Sequence, residues 1–73
     1  MTLGERIKYL RNLQGITQGQ LADTLGVSRQ IIYQYEHDET DPGLFIFTCM
    51  ADALGVSLDY LARGEANEEE SLP

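Results

Sequence analysis

Seventy-three residues hold one hydrophobic core, with no room for a second or for a deep catalytic pocket. The composition, 42% hydrophobic with seven glycines and two prolines, excludes a disordered chain; no apolar run reaches membrane-span length, Glu5, Arg6 and Lys8 interrupt any secretory core, and the single Cys49 makes no internal disulfide, so the expected location is the cytoplasm. The net charge of −7 opposes a polyanionic partner, but only in one half: residues 1–35 carry Arg6, Lys8, Arg11 and Arg29 against Glu5 and Asp23, a balance of +2, and residues 36–73 carry Arg63 against ten acids, a balance of −9.

Thr2-Leu3-Gly4-Glu5 has the form of a capping box, and Leu3, Ile7 and Leu10, with Leu13 following, predict a first helix that Gly15 stops. A second box, Thr17-Gln18-Gly19-Gln20, opens a helix that runs to Leu25 and stops at Gly26. Ser28 caps a third helix reaching about His37. Asp41-Pro42-Gly43 reads as a turn and helix start, with proline tolerated in the first helical turn. The fourth helix runs from about Leu44 to Leu54 and ends at Gly55; Ser57 caps a short fifth that ends near Gly64. The pairs Ile16 with Leu21, Val27 with Ile32, and Val56 with Leu61 are hydrophobic staples across three of these starts. They explain why residues 21–28 and 50–57 look alike: each ends a helix in Gly, buries a Val and caps a new helix with Ser. No strand pattern competes. The expectation is an all-α domain over residues 1–64, followed by an acidic, disordered tail over residues 65–73.

Helices two and three are joined by Gly26-Val27-Ser28, a short glycine-containing turn with the small Ala22 at the crossing, which is the pattern of a helix-turn-helix. At 100° per residue, Ile32 and Tyr35 of helix three point inward with Ser28 and Glu36 beside them. Arg29, Gln30, Tyr33, Gln34 and His37 share the outward face. Arginine can donate a bidentate pair to guanine O6 and N7, and glutamine can pair with adenine N6 and N7. On any surface helix such a face would be plain solvated polarity; its position after this turn is what raises it to a candidate site.

The segment Ile16 to Glu36, with Pro42 and the Ala53-Leu54-Gly55-Val56-Ser57 junction, resembles the phage Cro and repressor family of helix-turn-helix domains over residues 3–64. That resemblance implies a five-helix bundle, a symmetric dimer and a third helix in the major groove of duplex DNA. It assigns base reading to Arg29, Gln30, Tyr33 and Gln34. It assigns phosphate contact to Gln18 and Ser28, the helix ends there having free amides suited to an anion, and an interhelical salt bridge to Arg11 and Glu36. The chain departs from the family after Glu36, where a glycine and a basic residue are usual. Here stands His37-Asp38-Glu39-Thr40-Asp41, so Glu39 would face phosphate with the wrong sign. One histidine among scattered carboxylates reads as an exposed loop, not a metal site.

Helix four is apolar nearly all round. Leu44, Phe47, Met50, Ala51 and Leu54 suffice for a core face, which leaves Phe45, Ile46 and Cys49 as a candidate homodimer patch. No phosphate loop or histidine–carboxylate pair suggests an enzyme, and Cys49 lacks a nearby histidine. The expected function is a sequence-specific regulator of transcription, read as a repressor, that binds double-stranded DNA as a homodimer without metal, cofactor, membrane or evident small-molecule ligand. The alternative is a protein-interaction module of the same fold that has lost most of its DNA binding.

Overall fold

The computed structural model describes residues 1–64; the expected acidic tail, 65–73, lies outside the described residues. Within them run α1 (Leu3–Leu13), α2 (Gln18–Leu25), α3 (Arg29–Glu36), α4 (Leu44–Leu54) and α5 (Leu58–Arg63), with no strand among the described residues.

Side-chain caps begin all but one of these helices. Thr2 and Glu5 exchange bonds at 3.1 and 2.9 Å, and Thr17 and Gln20 do so at 3.0 and 2.9 Å. Ser28 and Ser57 accept from the amides of Ile31 and Tyr60. Each such cap stabilises its helix by about 0.5–2 kcal/mol. The exception is α4, where Gly43 caps without a side chain. Pro42 therefore lies outside the helix and not in its first turn as expected, because the extended backbone of Gly43 (ψ 168°) separates it from Leu44.

Three connections repeat one junction. At Gly26 φ is +71°, a left-handed conformation glycine adopts without the Cβ clash other residues suffer. This lets the Val27 amide reach back to the Ala22 carbonyl at 3.0 Å and close the helix end. The amides of Ile16 and Val56 make the same 3.0 Å closure to Arg11 and Ala51. Each β-branched residue then packs half-buried against the core, and the following Thr or Ser caps the next helix.

The core joins Ile7 and Leu10 of α1, Leu21 and Ala22 of α2, Ile32 and Tyr35 of α3, Met50, Ala51 and Leu54 of α4, and Leu61 of α5. α3 packs on α1 and α2, while α4 packs on α2 and α5, and α5 on α1. The outer face of α3 is thereby left uncovered. Leu44, expected in the core, is 80% exposed, and Phe45 is 76% exposed. The first turn of α4 projects beyond the surface that α2 and α5 cover, and packing against the core begins at Ile46 and Phe47.

Two features fasten α1 to the end of α3. Gly4 is buried so close that a Cβ there would stand 2.5 Å from the carbonyl oxygens of Tyr35 and Glu36. Asp38, at φ +58°, accepts the Thr2 hydroxyl at 2.6 Å and the Gly4 amide at 2.9 Å. The Thr2 bond first, then the Gly4 amide and the charge of His37, hold the Asp38 carboxyl below its ordinary value. A carboxyl depressed in the folded state contributes stability above its unfolded value, near about 4, and loses it as pH falls through the folded one. The Asp38→Asn variant keeps an acceptor but does not titrate. It is expected to melt lower than the wild type at neutral pH and to lose less on acidification from about pH 5 to about pH 2, followed by thermal circular dichroism. Parallel curves would show that this carboxylate does not govern the acid limb.

Candidate nucleic-acid interface

The orientation of α3 follows from what it buries. Ile32, Tyr35 and Glu36 are buried, and Arg29, Gln30, Tyr33 and His37 are exposed on the other side. Gln34 is half-buried at the border, not fully outward. The loop after α3 folds back beside it, the Glu39 amide donating to the Gln34 carbonyl at 2.9 Å.

Beneath this face lies a buried polar network. Arg11 Nε donates to Glu36 Oε2 at 2.6 Å and its Nη2 to Oε1 at 3.2 Å, a bidentate pair. Its Nη1 donates to the Ile16 carbonyl at 2.8 Å. Gln18 Nε2 also donates to Glu36 Oε1, at 3.0 Å. The side chain of Glu36 has 0% exposure and that of Arg11 9%. Gln18 is thus held at the mouth of α2 by the same carboxylate that anchors α3.

Two open clefts meet at Gln18 and Arg29. One is lined by Arg11, Thr17, Gln18, Gly19 and Arg29 at the start of α2, the other by Gln18, Arg29, Gln30 and Tyr33 on the face of α3. The capping box at Thr17 takes up the amides of Thr17 and Gln20. That leaves the first-turn amides of Gln18 and Gly19 for an anion. Ser28, exposed at the start of α3, uses its oxygen as acceptor for Ile31, so its hydroxyl proton remains available as a donor.

Tyr33 and His37, one turn apart, are stacked with ring centroids 3.9 Å apart and planes inclined by 22°. His37 Nδ1 lies 2.9 Å from the Tyr33 carbonyl and donates to it. Sequence reasoning put both on one face but not in contact; a tyrosine and a histidine at i and i+4 carry that signal.

The cations divide into internal and external ones. Arg6 is buried, donating to the carbonyls of Leu61 at 2.7 Å and Ala62 at 2.9 Å and closing the end of α5. Arg11 is internal as described. Lys8 and Arg29 are exposed and enter no ion pair among the described residues. The role of Arg6, like that of Gln14, whose Nε2 donates to the Leu54 carbonyl at the end of α4, had no local signal, because each reaches a carbonyl 40 or more residues away. On α4, Leu44 and Phe45 stand out, Cys49 is half-buried, and Ile46 is half-buried against the core. Among the described residues no helix is long and apolar enough to cross a membrane.

The sequence model of the helix-turn-helix family matches residues 7–61. A prophage-derived HTH-type transcriptional regulator of Bacillus subtilis, YonR, is 41% identical over 61 residues, 84% of this chain and 56% of its own length. The immunity repressor protein of Bacillus phage phi105 is 35% identical, covering 89% of this chain and 45% of its own. The chain spans about half the length of these curated relatives. Among solved structures, the P22 c2 repressor in complex with a synthetic operator superposes with a TM-score of 0.85 at 37% identity, over 89% of this chain and 98% of that one.

Removing Glu36 tests the network beneath the face. Glu36→Ala leaves the Arg11 guanidinium buried without its carboxylate, at a cost of about 3–5 kcal/mol. Arg11→Met combined with Glu36→Leu is expected to recover most of that loss. Urea denaturation of the two variants measures both, and a Glu36→Ala loss below about 1 kcal/mol would mean that the pair is solvated.

Proposed function

Because the chain belongs to the helix-turn-helix family, we propose that it is a sequence-specific DNA-binding regulator of transcription working in the cytoplasm. One observation carries the reading: α3 is anchored by Ile32, Tyr35 and Glu36 and presents Arg29, Gln30 and Tyr33, with Gln34 at their border. Arg29 has the donors for guanine, and the two glutamines can pair with adenine in the major groove. Gln18, Ser28 and the free amides of the first turns flank that face and suit the phosphates on either side. The activity is binding, with no bond made or broken and no cofactor. Repression follows most simply, by occupancy of a promoter.

The exposed first turn of α4 supports assembly. Leu44 and Phe45, with Cys49 and the outer part of Ile46, form an apolar patch that a second copy would bury about a two-fold axis. Such a dimer sets two copies of α3 one DNA turn apart, about 34 Å, and calls for near-palindromic sites with half-site centres about 10 base pairs apart.

Selection of duplexes from a random pool, followed by gel shift, tests recognition. Gln30→Ala is expected to cost about 1–3 kcal/mol on the selected duplex and to relax preference at one position. Equal losses on every duplex, or a wild type that selects none, would sink the reading in favour of a protein-interaction module.

The assembly is tested by Phe45→Glu. Phe45 is 76% exposed, so this variant keeps its helix content. It should sediment as a monomer and lose specific affinity, because two facing carboxylates would be desolvated together. A wild type that sediments as a monomer at high concentration rules the patch out.

A further inference from the structure

We propose that His37 is a positioning residue for base recognition: by stacking on Tyr33 it fixes that ring as a contact for the 5-methyl group of a thymine in the bound duplex. This rests on the DNA-binding reading above and names one specificity within it.

Tyr33 lines the cleft on α3 with Arg29, Gln30 and Gln18, and 42% of it is exposed. An exposed tyrosine with no neighbour moves among rotamers and must be ordered when it binds. Here the imidazole lies flat on one ring face, 3.9 Å away. The imidazole is itself tied down by the bond from Nδ1 to the Tyr33 carbonyl. Tyrosine is therefore presented in one orientation, with the face opposite His37 and the ring edge left for the cleft where Arg29 and Gln30 stand. Arg29 and Gln30 offer hydrogen-bond donors there; Tyr33 adds an apolar surface. Thymine alone among the four bases carries an apolar group into the major groove, and a fixed ring is its complement.

The test uses the full chain and its selected duplex, with each thymine replaced in turn by deoxyuridine, which removes only the methyl. The wild type is expected to lose about fourfold in affinity at one thymine, the worth of one buried methyl-sized group. His37→Ala should bind the thymine duplex about three- to tenfold more weakly and lose the thymine–uracil difference, while preference at the position read by Gln30 persists. His37→Phe, which restores a flat ring, should restore the difference, and Tyr33→Phe should retain it. The proposal is overturned if no thymine shows a methyl effect in the wild type, if His37→Ala keeps that effect, or if His37→Phe loses it. It is equally overturned if His37→Ala weakens every duplex alike, which marks a phosphate contact. A wild type with no preferred duplex removes the DNA-binding reading and this one with it; a preferred duplex combined with any of the other results removes this one alone.

Discussion

A carboxylate with no exposed surface decides how α3 lies. Glu36 takes its bonds from Arg11 on α1 and Gln18 at the start of α2, and Arg11 in turn holds the carbonyl of Ile16 between them. An ionised group removed from water is costly unless its lone pairs are filled, so the network is stable only when α1, α2 and α3 are all in place. Since each helical residue turns by about 100°, a helix with Glu36 and Ile32 locked inward has no choice about Arg29, Gln30 and Tyr33. The outward face of α3 is the reverse side of a buried ion pair.

The clamps on α3 are unevenly distributed along it. Arg11 grips Glu36, Gly4 lies against the carbonyls of Tyr35 and Glu36, and Asp38 ties the following turn to Thr2 and Gly4. All of these act on the C-terminal end of the helix. The N-terminal end, with Ser28, Arg29 and Gln30, is held by the junction at Gly26-Val27 and otherwise projects. That division would suit the groove-reading role proposed for α3.

Much of this was legible because it is local. Caps, glycine stops and staples act over three to five residues, and the helix bounds follow from them within a residue or two. Periodicity alone places Ile32, Tyr35 and Glu36 inward and Arg29, Gln30, Tyr33 and His37 outward, but not the half-buried Gln34, beside which the following loop folds back, nor the exposed Ser28. What escaped the sequence acts at long range or by termination. Arg6 and Gln14 fill carbonyls on distant helices, which leaves no mark in their own neighbourhoods. Leu44 looks like core by spacing, but spacing does not say where the neighbouring helices stop. Asp38 is legible only in part: tolerance of a left-handed backbone is a property of the residue, whereas its bonds to Thr2 and Gly4 depend on how α1 crosses α3.

The uncovered leucine and phenylalanine at the head of α4 sit on a chain of net charge −7. Two copies that meet there gain from burying apolar surface but repel one another through like charge, and dissolved ions screen the repulsion without weakening the burial. Rising ionic strength would therefore favour the proposed pairing. In the proposed complex with DNA, the same ions would compete with its few exposed cations for phosphate and loosen that complex. Occupancy of a two-part site by such a molecule would pass through a maximum at intermediate ionic strength, below which the copies stay apart and above which the pair no longer holds the duplex.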